Sequence, residues 1–458
     1  MTARTILVDR SRLPEPGPPP PFRSPVIQKT VLPSGLRVWT VSQPSVALVT
    51  ITLLFRRGSA DDPPGQEGLA AITVDMLDEG SGSRTAIEIH EELARLGAQL
   101  DSDIGSDAAA LSLTVLSRFT GRALTLMADI ATRPALREDD FARVRQLRLH
   151  RLTQVRDVPG AVADRTFAGL LFGHHPYGHT PLGTERALGA LSVDDVRRFH
   201  QTMLRPSDAT LIIGGDCDHR TGVRLATDAF ADWTGAADAA LPVATELPSA
   251  PRLNVVHRTG AQQSELRIGH VAVARRTPDY HALIAANAVL GGQFVSRVNL
   301  KLREEKGLTY GARTAFDFRR LPGPFVMQAS VQTAGTAEAI HDSLEELAAI
   351  GGSRPVTEQE LTLGVAALTR GYARNFETAE QVVRAIMQIV LYDLPDDYFT
   401  RFVPDVLRVT VDDVTRVASE HINPGRLTTL VVGDYEAIDS SLRGLGLGEP
   451  ALLPPDSF

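Results

Sequence analysis

A stretch of this chain occurs twice, and that repeat restricts its fold more than any other feature. Ser192-Val-Asp-Asp-Val196 recurs 218 positions later as Thr410-Val-Asp-Asp-Val414, and the same offset relates Pro206 to Pro424 and Asp216 to Asp434. Each copy opens on a capping box, Ser192 with Asp195 and Thr410 with Asp413, in which the hydroxyl and the carboxylate satisfy helix-end amides reciprocally. Each helix stops ahead of a proline and leads into a β-branched run, LII or LVV, closed by Gly-Asp. A register held at three points implies two homologous domains in tandem. The boundaries read as a Pro-rich arm over 1–25, a first domain over 26–240, a linker over 241–252, a second domain over 253–445 and a tail over 446–458.

Within each copy the periodicities are mixed. Ala47 to Phe55 is β-branched and apolar, and Leu111 to Leu116 alternates as a sheet strand does. Thr85 with Glu88 opens a helix that has Ile89, Leu93 and Leu96 on one face and Gly97 as its stop, and Thr357 with Glu360 opens another. Strands and helices intersperse without strict βαβ alternation or a Gly-rich phosphate loop, so the fold class is α+β.

Composition narrows the function. The 458 residues are 43% hydrophobic and 22% charged, as in ordinary soluble domains. A net charge of −8 and the lack of a long Lys/Arg run argue against nucleic acid as a partner. No apolar run is long enough to span a membrane, and the N-terminus lacks the apolar core of a signal peptide. A cytoplasmic location is expected, with a periplasmic one open through an exported partner. Cys217 is the only cysteine, so neither an intrachain disulfide nor a Cys-built zinc site is possible.

Gly68 to Thr85 reads GLAAITVDMLDEGSGSRT. It resembles the active-site helix of the pitrilysin-type zinc metallopeptidases, the inverzincins that include the mitochondrial processing peptidases. In that family two His bind Zn²⁺ and a Glu activates water, in the order H-x-x-E-H. The resemblance places the first His on Ala71, the Glu on Val74 and the second His on Asp75. The family's third ligand, a Glu farther along, falls in Arg145 to Pro159 on Arg151 or a neighbour. One carboxylate, two apolar side chains and a cation cannot assemble a zinc site, so this chain is expected to bind no metal itself. The family's fold implies a mostly antiparallel sheet packed with helices in each domain.

Residues 287–310, NAVLGGQFVSRVNLKLREEKGLTY, are similar to the family's second-domain signature. In its two-chain members the zinc-free subunit reaches the partner's active site with an Arg and a Tyr, which fall here on Arg303 and Tyr310. Gly291 and Gly292 match a substrate-handling glycine loop that is longer in those proteins. Read from the residues alone, Arg303 is equally a cation at a helix C-terminus, Tyr310 a half-buried strand aromatic, and the glycines a helix stop. Gly307 is expected to end the helix carrying Arg303.

The resemblance therefore implies a non-catalytic subunit of a heterodimeric zinc endopeptidase. Its partner is a homologue with H-x-x-E-H that holds the zinc, and its substrates are small or unstructured peptides. The alternative is an inactive scaffold, like the core subunits of respiratory complexes. A third reading relocates a metal to His174, His175 and His179 in FGHHPYGHT. Other patterns are weaker: His90-Glu91 lacks a second His because position 94 is Ala, and Asp101, Asp103 and Asp107 lack an EF-hand's Gly and Glu. Cys217 has no marked base nearby.

Overall fold

The computed structural model describes residues 22–235, 247–250 and 252–454, together with Ser11 and Gly17. Most of the arm expected over 1–25 and of the linker expected over 241–252 lies outside these residues. The strands, in chain order, are β1 (Gln28–Val31), β2 (Arg37–Ser42), β3 (Leu48–Phe55), β4 (Gly80–Ser81), β5 (Arg84–Thr85), β6 (Asp101–Ile104), β7 (Ala109–Leu116) and β8 (Ala209–Gly215) in the first half. The second half holds β9 (Leu253–His257), β10 (Gln263–Val271), β11 (Thr309–Phe316), β12 (Pro324–Gln332), β13 (Thr428–Gly433) and β14 (Ala451–Leu453).

They form two six-stranded sheets, ordered β1-β2-β8-β3-β7-β6 and β11-β12-β10-β13-β9-β14, and β4 pairs with β5 in a separate hairpin. Read from opposite ends the two orders correspond strand for strand, so β11 takes the edge position in the second sheet that β6 takes in the first. Pairing is antiparallel except for β2 with β8 and for β9 with β13 and β14. The segment expected to be a tail therefore supplies a sheet strand, because Ala451–Leu453 adds to β9 in parallel register. The helices Val193–Met203 and Val411–His421 begin and end at the repeat offset, each on its capping box. Thr85 with Glu88 and Thr357 with Glu360 also form their boxes, and Gly97 closes the first of these helices at φ +64°. That left-handed backbone is easiest for glycine.

The two halves are interlocked by helix exchange. The helix Pro159–Phe172 of the first half lies on the second sheet, packing Val162, Phe167 and Leu170 against Val256, Leu430 and Val432. Its counterpart in the repeat, Ala379–Tyr392, lies on the first sheet, packing Val383, Ile386 and Val390 against Val41, Leu54 and Ile212. The approach is close: a Cβ on Gly214 of β8 would sit 2.6 Å from Val383 Cγ2. Burying each such Val, Leu or Ile stabilises by about 1.5–3 kcal/mol, so the exchange contributes on the scale of a domain's entire stability margin. It also explains β3: a strand covered on both faces is buried at every position after Leu48 rather than at alternate ones. Among the described residues no helix is long and apolar enough to cross a membrane.

Candidate functional site

The helix Leu69–Asp75 holds the positions at which the metallopeptidase resemblance expects ligands. Asp62 fastens its start, accepting 2.7 Å hydrogen bonds from the Gly68 and Ala70 amides. Ala71 and Val74 are buried in packed interior, at 0% and 3% exposure. Asp75 sits at the rim and accepts a 2.5 Å hydrogen bond from Arg148 Nη1. Arg148 belongs to the helix Glu138–Arg156 and also donates through Nη2 to Pro181 O at 2.6 Å.

The facing cation is thus Arg148 and not Arg151, which is exposed. Arg148 lies nearly one turn closer to the helix start, and that turn is the one opposite Asp75. A guanidinium only donates, and it already occupies the carboxylate of Asp75. Zinc needs three lone-pair donors converging on one point, so the residues present do not fit it.

The second-half residues converge instead. Arg297–Asn299 runs on into a π-helical turn, Leu300–Glu305, that carries Arg303. Gly307, at φ +63°, reverses the chain as expected. It leads into β11, whose pairing with β12 slips between Thr309 and Ala312. Such a bulge re-aims a side chain, and Tyr310 within it is 93% exposed. Among the described residues its hydroxyl has no hydrogen-bond partner. It is therefore not the half-buried strand aromatic that packing alone would make. The Arg303 guanidinium lies 4.2 Å from the centre of the Phe294 ring and pairs loosely with Glu304 at 3.4 Å.

Arg303, Tyr310, Gly291 and Gly292 all line one groove of about 580 Å³, closed on another side by Asp164 of the exchanged helix Pro159–Phe172. The glycines have a packing role there. A Cβ on Gly291 would lie 2.5 Å from the Thr314 amide of β11, and one on Gly292 would lie 2.6 Å from Asn287 Nδ2. Both amides close the helix Tyr280–Leu290 onto Asn287 O, so the helix-stop reading describes what they do.

The supporting roles of two residues were not apparent from the sequence. Buried Asn299 donates to Phe294 O at 2.6 Å and accepts from the Ala312 amide at 3.0 Å, tying the Phe294 loop to the bulge. Arg297 grips Glu360 with two hydrogen bonds, 2.6 and 2.7 Å, and also reaches Arg354 O and Pro355 O. Arg297 is visible in the signature, but its partner is distant in sequence; Asn299 acts through backbone atoms that no side-chain motif reports.

The histidine loop does not assemble a metal site. His179 bonds Asp62 at 3.1 Å, while His174 is exposed. His175 is buried beside Phe172 and Tyr177, with its protonation disfavoured by burial and by Arg319. Tyr177 donates to Asp107 at 2.5 Å, and burial, then Asp107, raises its hydroxyl pKa. Among the described residues, His, Asp and Glu side chains come within shared ligand distance at Asp279–Glu420–His421 and at His341–Asp342–Glu345. Neither group touches the degenerate helix. At the first, Arg416 already pairs with Asp279 and Glu420.

Comparison with known families matches residues 37–184 to "Insulinase (Peptidase family M16)" and residues 190–368 to "Peptidase M16 inactive domain". The chain belongs to the M16 peptidase family. A curated M16-like relative, an uncharacterized zinc protease of Streptomyces coelicolor, is 26% identical over 419 residues, covering 89% of each chain. A solved structure described as a peptidase M16 inactive domain from Pseudomonas fluorescens superposes with a TM-score of 0.83 at 23% identity, covering 89% of this chain and 98% of that one. A chain of complex III2 from Candida albicans superposes at 0.74 with 16% identity, covering 92% of this chain and 100% of its own length. These likenesses establish the M16 fold, with its paired mixed sheets and packed helices. Within that fold, Ala71 and Val74 of this chain are packed interior and Asp75 is paired with Arg148.

Proposed function

We propose that this chain is the zinc-free subunit of a heterodimeric M16 endopeptidase acting on small or unstructured peptides. Its partner is a homologous chain carrying H-x-x-E-H, and that chain holds the zinc. The groove lined by Arg303 and Tyr310 forms part of the wall facing the partner's active site. Attack of water on a peptide carbonyl builds negative charge on the carbonyl oxygen. A phenol O–H and a guanidinium aimed at that oxygen stabilise the charge, and a preorganised donor of this kind contributes about 3–4 kcal/mol.

The observation that carries the reading is Tyr310, an aromatic 93% exposed with an uncommitted hydroxyl in the same groove as Arg303. A scaffold needs neither group there. The test is hydrolysis of a quenched fluorescent peptide mixture by this chain, by a zinc-bearing homologue, and by the two combined. Activity is expected only in the combination, falling about 10²-fold or more with Tyr310→Phe or Arg303→Ala. Full activity from the homologue alone, or a combination indifferent to both substitutions, overturns the proposal in favour of a scaffold.

A further inference from the structure

Three guanidiniums line the groove, those of Arg267, Arg303 and Arg313, and their partners differ. Arg267 is spent: its side chain is 7% exposed and holds Asp164 at 2.7 Å and Glu265 at 3.3 Å, with further hydrogen bonds to Leu266 O and Gly160 O. Arg303 stacks on Phe294 beside Glu304 and belongs to the chemistry proposed above. Arg313 remains. It is exposed on β11 and stands opposite Gln328 of β12, which in turn stands opposite Arg267 of β10. Assigned with its oxygen rather than its nitrogen toward Arg313, the orientation that sets acceptor against donors, the Gln328 amide accepts from Arg313 Nε and Nη2. That partner is neutral, so it orients the guanidinium without cancelling its charge, and among the described residues no carboxylate pairs with Arg313.

We infer that Arg313 is a specificity-determining residue that selects peptides with an acidic side chain. The inference rests on the proposal that this groove faces peptide substrate. Arg313 lies three residues beyond Tyr310, roughly 10 Å along an extended strand at about 3.3 Å per residue. In this proposal it meets a different part of the peptide from the oxygen that Tyr310 serves. A carboxylate arriving there gains a planar, pre-positioned donor pair, whereas an incoming Lys or Arg meets an unneutralised cation. The whole chain carries a net charge of −8, so its long-range field favours basic peptides. A preference for acidic ones must therefore come from the groove itself.

Binding of short capped fluorescent peptides, identical except for one Glu, Gln or Lys, to the intact isolated chain tests this by anisotropy. At about 50 mM salt the Glu peptide is expected to bind about three- to tenfold tighter than the Gln peptide, and the Lys peptide weakest, with the spread shrinking at high salt. Arg313→Gln abolishes the difference. Gln328→Glu does the same while keeping the arginine, because it neutralises Arg313 in place. Both positions are exposed or half-buried, and unchanged melting temperatures certify the variants. Equal binding of the Glu and Gln peptides to the wild type, or a preference that survives both substitutions, overturns the selectivity alone. No binding by any peptide overturns the peptide-facing groove on which it rests.

Discussion

Removing Asp75 should destabilise the first half of the molecule far more than removing Asp75 and Arg148 together. The two meet at 2.5 Å, with Arg148 10% and Asp75 41% exposed at the side chain. Unit charges about 4 Å apart attract by about 4 kcal/mol at an effective dielectric of about 20, and desolvating the guanidinium offsets part of this. In Asp75→Ala the buried cation keeps, among the described residues, Pro181 O as its one hydrogen-bond partner, and Arg148 Nε is already buried without a hydrogen bond. The expected loss is about 2–4 kcal/mol. In Arg148→Met the freed carboxylate turns to water and the stem's volume is retained, at a loss of about 1 kcal/mol. The double variant should lie within about 1 kcal/mol of wild type, a coupling of about 2–4 kcal/mol. Urea unfolding at neutral pH by tryptophan fluorescence measures this, because the protein's two tryptophans, Trp39 and Trp233, are both in the first half. A loss below about 0.5 kcal/mol for Asp75→Ala, or single effects that simply add, would show that the pair does not hold the two helices together.

Glu360, pulled down to about 2 by its hydrogen bonds to Arg297 despite partial burial, sets an acid limit. A depressed carboxylate stabilises above its unfolded pKa and loses that contribution as pH falls through the folded one. Glu360→Gln keeps a capping-box residue, and after discounting for solvent screening it should cost about 1–2 kcal/mol at neutral pH. The gap to wild type should close between pH 4.5 and about 2 in urea midpoints measured across that range. Cys217, its thiol raised to about 11 chiefly by burial, should resist a chromogenic disulfide reagent at about pH 8 in the native protein and react fully once unfolded. Reaction at equal rates in both states would contradict its burial. Gly291→Ala forces β11 away from the helix end and should lower stability by about 1–3 kcal/mol; an unchanged melting temperature would mean that the close approach to Thr314 relaxes freely.

The repeat was legible because capping boxes, prolines and Gly-Asp ends are local chemistry, and local chemistry is what sequence records. The same holds for Gly97 and Gly307, whose left-handed backbones have no substitute of equal ease. Arg303 and Tyr310 could be named from the family resemblance of residues 287–310, but the bulge that turns Tyr310 outward depends on its pairing with β12 and left no mark in the string. That Arg148, and not the exposed Arg151, meets Asp75 was not legible, because helical phase accumulates along a long helix and only packing fixes it. β14 was hidden by its brevity: three residues pair because a sheet edge awaits them. The exchange of Pro159–Phe172 and Ala379–Tyr392 was equally hidden, since amphipathicity declares an apolar face without naming which sheet it covers.

That exchange sets an order of events during synthesis. When the ribosome has finished β8, the sheet face formed by Val41, Leu54 and Ile212 is still bare, because the helix that covers it has not been made. The early half must wait, partly folded and adhesive, until nearly the whole chain has emerged. Expressed as separate polypeptides spanning 22–235 and 252–454, the halves should each aggregate, and they should recover native spectra only when refolded together. Fragments that fold alone would show that the borrowed helices embellish two complete units and do not finish them.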